Sequence, residues 1–123
     1  MRESNGQTVE LNGVTYQWPS HPIVVVCIDG GDPAYFDQGL RDGSIPNTAH
    51  FMKDGFDSIA KSVVPSLTNP NNMSIVTGAP ASIHGISGNY FVDPETGAEV
   101  MMNDPKFLRS ETILAQFSQK GAK

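Results

Sequence analysis

A chain of 123 residues is large enough for one small domain or for part of a larger one. Its net charge of -5 argues against a nucleic-acid surface built on phosphate contacts, no apolar stretch approaches the length of a membrane span, and a lone Cys27 excludes an internal disulfide. The opening run Met1-Arg2-Glu3-Ser4-Asn5-Gly6 lacks the apolar core of a secretory signal, so a cytoplasmic location is expected.

In chain order, residues 8–11 and 14–18 flank Asn12-Gly13, a type I′ turn signal. They predict an antiparallel hairpin that decorates the rest of the fold. The run 22–28, Pro-Ile-Val-Val-Val-Cys-Ile, is continuously apolar. It predicts a strand buried on both faces, central in a parallel sheet, with Cys27 as a small buried hydrophobe. After Asp29-Gly30-Gly31, Asp32 is placed to cap a helix with Pro33 at its first position and Gly43 near its end. A second helix is expected from Pro46 to Asp54, stopped by Gly55. Residues 56–64 predict a second parallel strand. Asn69 is then expected to cap a helix that Pro70 opens and that runs to Gly78.

Beyond Ser87, residues 89–92 and 98–102 flank Asp93-Pro94-Glu95-Thr96-Gly97 and predict a hairpin with a longer turn. Ser110 is expected to cap a last helix that carries Ile113, Leu114 and Phe117 on one face. Strand, helix, strand, helix is the order of a doubly wound α/β sheet.

The chemistry concentrates at two of these junctions. Thr68 sits between a β-like run and a helix start, where unpaired N–H groups and a partial positive charge favour an alkoxide or a phosphoryl group. Its hydroxyl needs a base or a metal to act as a nucleophile. Asp29 ends the first apolar strand, where open α/β sheets place their ligands. Singly, Thr68 reads as a helix cap and Asp29 as a turn residue; together they favour a site. Gly30-Gly31 matches neither the dinucleotide fingerprint nor the phosphate loop, and a carboxylate at Asp29 suits a hard or borderline cation. Asp32 lies close enough to join such a site, but its place before Pro33 favours a helix cap. His21 and His50 have no partners at ligand spacing. Asn89, after Gly88, reads as a turn residue.

The apolar strand with Asp29-Gly30, then Ile45-Pro46-Asn47 with Gly55, Thr68-Asn69-Pro70-Asn71, Thr77-Gly78 and His84-Gly85-Ile86, resembles the alkaline phosphatase superfamily. The nucleotide pyrophosphatase/phosphodiesterase-like branch is the nearest group, and the run through Asn89-Tyr90-Phe91 is similar to its phosphonoacetate hydrolases. The resemblance implies an alkaline phosphatase-like, doubly wound, mostly parallel sheet, incomplete here, with residues 1–21 as a hairpin extension and 22–123 as the N-terminal part of the catalytic domain. It implies two zinc ions, with Asp29 and Thr68 as metal ligands, Thr68 as nucleophile through a phosphothreonine, and Asn89 as a substrate-binding residue. His84 is then structural, since the histidine of the family's His-Gly pair is not a ligand.

The implied substrate is a small phosphonate, with a phosphodiesterase or nucleotide pyrophosphatase on the same scaffold as the alternative. A non-catalytic α/β module is the reading from a different class. Family members are several times longer and draw most of their Asp and His ligands from the C-terminal half. The chain is therefore expected to be an N-terminal segment, inactive alone and completed by the rest of the same chain or by a subunit carrying the other ligands. A homodimer is compatible with this; neither nucleic acid nor a membrane is an expected partner.

Overall fold

The computed structural model describes residues 7–122, which fall into two compact units. The first is made from Met1–Ile23 together with Ser62–Lys123, and the second is Val24–Lys61.

The first unit begins with β1 (Thr8–Leu11) and β2 (Val14–Gln17), paired antiparallel with Val9 opposite Tyr16. Asn12 and Gly13 turn the hairpin with φ of 50° and 79°, the left-handed conformations that a type I′ turn requires. The hairpin does more than decorate. Val9 and Leu11 are buried, and Trp18 meets Phe117 edge-to-face with ring centroids 5.4 Å apart. The same unit holds α3 (Thr68–Thr77), the short α4 (Ala81–His84), β3 (Tyr90–Val92) paired antiparallel with β4 (Glu99–Met101), and α5 (Ile113–Gln119). The turn between β3 and β4 is held by Asp93, whose carboxylate accepts from the N–H groups of Glu95 and Thr96. Ala79 and Ile86 complete the buried apolar set, with Thr77 and His84 as its buried polar members.

The second unit holds α1 (Pro33–Asp42) and α2 (Pro46–Asp54). Asp32 caps α1 by accepting from the N–H of Ala34 at 2.8 Å, Pro33 occupies the first turn, and Gly43 ends the helix with φ of 72°. Gly55 stops α2 as expected, its N–H donating to the carbonyl of Phe51 at 2.9 Å.

Two expectations about the strands are corrected. The runs 22–28 and 56–64 join neither sheet, and both sheets among the described residues are antiparallel hairpins. The apolar run is exposed, with Val24 at 83% and Val26 at 75%, and Cys27 is exposed with it. A strand buried on both faces needs a layer on each face and neighbours on both edges. The second unit offers only two short helices for that purpose.

Candidate active site at the start of the third helix

Helix α3 begins at Thr68, ahead of the start expected at Pro70. Leu67 is its N-cap, in extended conformation, and Thr68 is the first helical residue. Pro70 falls at the third position, where its missing N–H costs nothing because first-turn N–H groups have no intrahelical acceptor. The N–H of Asn71 closes the turn onto the carbonyl of Leu67 at 3.2 Å.

Asn69 is therefore inside the helix and does not cap it. Its backbone N–H, one of the orphan donors of the first turn, donates to Oδ1 of Asn89 at 2.9 Å. Its side-chain Nδ2 donates to the carbonyl of Met102 at 3.1 Å, and the N–H of Met102 donates to the carbonyl of Asn89 at 2.8 Å. Three residues from two elements thus form a closed set of hydrogen bonds, and the base of the β3–β4 hairpin caps α3. Sequence reasoning missed the roles of Asn69 and Met102. No local signal was available, since Pro70 directly after Asn69 reads as the first helical residue behind a cap.

The polarity of Asn89 follows from this set. A backbone N–H can only donate, so the atom facing it is the amide oxygen, and the NH2 group is the donor end of the side chain. Thr68 is half-buried at the same helix start, beside Asn69. The first unit thus brings Thr68 and Asn89 to one end of α3.

Asp29 lies in the second unit, exposed, in the turn where Gly30 has φ of 69° and the N–H of Gly31 donates to the carbonyl of Ile28. Asp29 offers a carboxylate and Thr68 a hydroxyl, both oxygen donors. Among the described residues no group of three or more His, Cys, Asp and Glu side chains could hold a metal ion. Zinc takes about four ligands, so Asp29 and Thr68, each taken within its own unit, are single oxygen donors and no complete site.

His84 is structural. It is fully buried, with Nδ1 accepting from the N–H of Ile86 at 3.1 Å and Nε2 3.1 Å from Ser74 Oγ. Nδ1 must be unprotonated to accept, so the ring is the neutral tautomer with its proton on Nε2. Burial pushes its pKa below the ordinary imidazole value. His50 makes only an exposed pairing with Asp54 one helical turn away, at 3.5 Å. Ser110 does not cap α5; Thr112 does, accepting from the N–H of Ala115 at 3.1 Å.

Residues 23–123 match the model of the type I phosphodiesterase / nucleotide pyrophosphatase family. The chain belongs to that family. Two solved structures of phosphonoacetate hydrolase from Sinorhizobium meliloti 1021 are similar to it. The complex with phosphonoformate has a TM-score of 0.88 and 49% identity over 96% of this chain; the complex with phosphonoacetate has 0.89 and 48% over 97%. The chain therefore has the alkaline phosphatase-like α/β fold over the portion it contains. Bis(5'-adenosyl)-triphosphatase enpp4 of Xenopus laevis is 41% identical over 83 residues, 67% of this chain. The chain spans 29% of the length of the solved structures and 18% of the Xenopus relative. No helix among the described residues is long and apolar enough to cross a membrane.

Proposed function

We propose that this chain supplies the nucleophile and one metal ligand of a zinc-dependent hydrolase that cleaves the carbon–phosphorus bond of phosphonoacetate to acetate and phosphate. The observation that carries the site is the hydrogen bond from Asn69 to Asn89, which brings the Asn89 amide to the first turn of α3, where Thr68 lies. The choice of substrate is supported by likeness to phosphonoacetate hydrolase along nearly the whole chain, including the N-terminal hairpin.

In the proposed reaction Thr68 Oγ attacks phosphorus in line. The P–Oγ bond forms as the C–P bond breaks, and the electron pair leaves on the acetate carbon as an enolate that takes a proton from water. Water then attacks the phosphothreonine, freeing Thr68 and phosphate. Asn89 Nδ2 donates to a non-bridging oxygen while charge builds there, and the start of α3 favours that charge. Asp29 and Thr68 Oγ would hold one of two zinc ions in part, and the bound metal would supply the lowered hydroxyl pKa that makes an alkoxide available near neutral pH. The remaining ligands come from the rest of the protein or from a subunit.

A second reading, cleavage of a phosphodiester or nucleotide pyrophosphate by the same Thr68, is favoured by the family model and by the Xenopus relative. Phosphate release from phosphonoacetate by the full-length protein, with zinc and with a chelator, separates the two. Chelator-sensitive release supports the phosphonate reading. No release, with cleavage of a nucleotide diester, moves the assignment to the second. Failure on both substrates removes the catalytic reading.

A further inference from the structure

The N-terminal hairpin lies outside the matched family segment of residues 23–123, yet it is built into the unit that carries Thr68. Val9 and Leu11 are only 2% and 7% exposed. Its turn residue Asn12 reaches the far end of α3, where Nδ2 donates to the carbonyl of Thr77 at 2.8 Å. That carbonyl is one of those the helix end leaves without an intrahelical partner. Ser110 Oγ holds the amide from the other side, lying 2.9 Å from Nδ2 and donating to Oδ1 at 3.0 Å. Thr77 has no exposed surface, and its hydroxyl donates back to the carbonyl of Met73 at 2.7 Å. Gly78, which ends the helix with φ of 62°, lies against the Tyr16 hydroxyl of β2, so that a Cβ there would overlap it. Two residues of one hairpin therefore meet the last turn of the helix whose first residue is Thr68.

We propose that Asn12 is a positioning residue for Thr68: by fixing the C-terminal end of α3 it sets the direction of the helix and hence the placement of the hydroxyl at its start. This rests on the reading of Thr68 as the nucleophile. Helix α3 has 10 residues. At 1.5 Å per residue it is a rod of about 14 Å, so a tilt of roughly 5° displaces one end by about 1 Å, a misplacement that costs catalysis heavily. The β3–β4 hairpin holds the start of the rod and the N-terminal hairpin holds its end. A helix pinned at one end alone keeps its fold and loses its aim.

The test is Asn12→Gly in the full-length protein, with Asn12→Asp as a second variant. Glycine adopts the positive φ of Asn12 without strain, so the turn survives while the donor is lost. Aspartate keeps the shape and places a carboxylate where the carbonyl of Thr77 needs a donor. For both, kcat is expected to fall about 3- to 10-fold with KM unchanged, at a temperature well below the melting transition. Amide hydrogen exchange over residues 74–78 should quicken. Ser110→Ala, which leaves the bond to Thr77 intact, should change kcat less than either. Wild-type kcat in a folded Asn12→Gly or Asn12→Asp protein overturns the proposal, as does a loss carried wholly by KM. Where the wild-type protein turns over neither phosphonoacetate nor a diester, the failure lies with the functional reading. Hydrogen exchange then decides, and unchanged exchange over 74–78 overturns the clamp.

Discussion

The backbone N–H of Asn69 donates to Oδ1 of Asn89 at 2.9 Å, across 20 residues of sequence. The oxygen of this amide caps α3, and under the proposed function its NH2 group is the end that would donate to a phosphoryl oxygen. A substitution that keeps one duty and removes the other tests the site cleanly.

Asn89→Asp retains an acceptor for Asn69 and puts a negative charge at a helix N-terminus, where it is favoured. Thermal stability should hold or rise slightly, while kcat should fall about 10²- to 10³-fold, as on loss of an oxyanion donor. Asn89→Ala should lose activity similarly and also about 1 kcal/mol of stability, the usual worth of a cap. Melting curves and steady-state rates on both variants check this. An aspartate variant with wild-type kcat would remove Asn89 from the chemistry.

Thr68→Ala should abolish turnover in the full-length protein with little effect on folding, because alanine is a good helix former and Thr68 lies in the first turn of α3. Thr68→Ser should retain part of the rate. Mass spectrometry of acid-quenched protein should find the phosphoryl adduct on the peptide containing Thr68. Ordinary turnover by the alanine variant would refute the assignment.

Asp29→Asn should lower bound zinc in the purified full-length protein, since a neutral amide is a poorer ligand than a carboxylate. Elemental analysis reads this directly. An unchanged metal-to-protein ratio would count against Asp29 as a ligand.

His84 should make the fold acid-sensitive. A second proton would have to go onto Nδ1, which already faces the N–H of Ile86, and burial holds the pKa below its ordinary value. The unfolded chain therefore binds that proton more readily than the folded one. The stabilising contribution is present above the unfolded value of about 6.5 and is lost as the pH falls from there toward the lower folded value. The melting temperature should drop as the pH falls below about 6.5. The drop should be smaller in His84→Asn, whose Oδ1 keeps an acceptor for Ile86. Equal slopes in the two proteins would remove His84 as the source.

Both hairpins, α1 and α2 are legible in the sequence because their signals are local. Asn12-Gly13 can adopt the two positive φ values its turn needs, and Asp32, Pro33 and Gly43 bracket α1 by contacts within a few residues. The resemblance that points to Thr68, Asp29 and Asn89 rests on short motifs of the same kind. The runs 22–28 and 56–64 carry a strand pattern and yet join no sheet. An apolar run shows what a strand would bury, and says nothing of whether neighbours are present to bury it.

Local signals thus suffice for the turns, for the bounds of α1 and α2, and for the motif that points to Thr68. Only the tertiary structure decided which groups close the ends of α3. Asn69 has the side chain of a cap, yet Asn89 does the capping, and Ser110 gives up that role to hold Asn12 from 98 residues away. The physical reason is that every helix end leaves donors and acceptors that must be satisfied, and whichever polar group packing brings within about 3 Å satisfies them. That group is chosen by the meeting of distant elements, which no local pattern encodes.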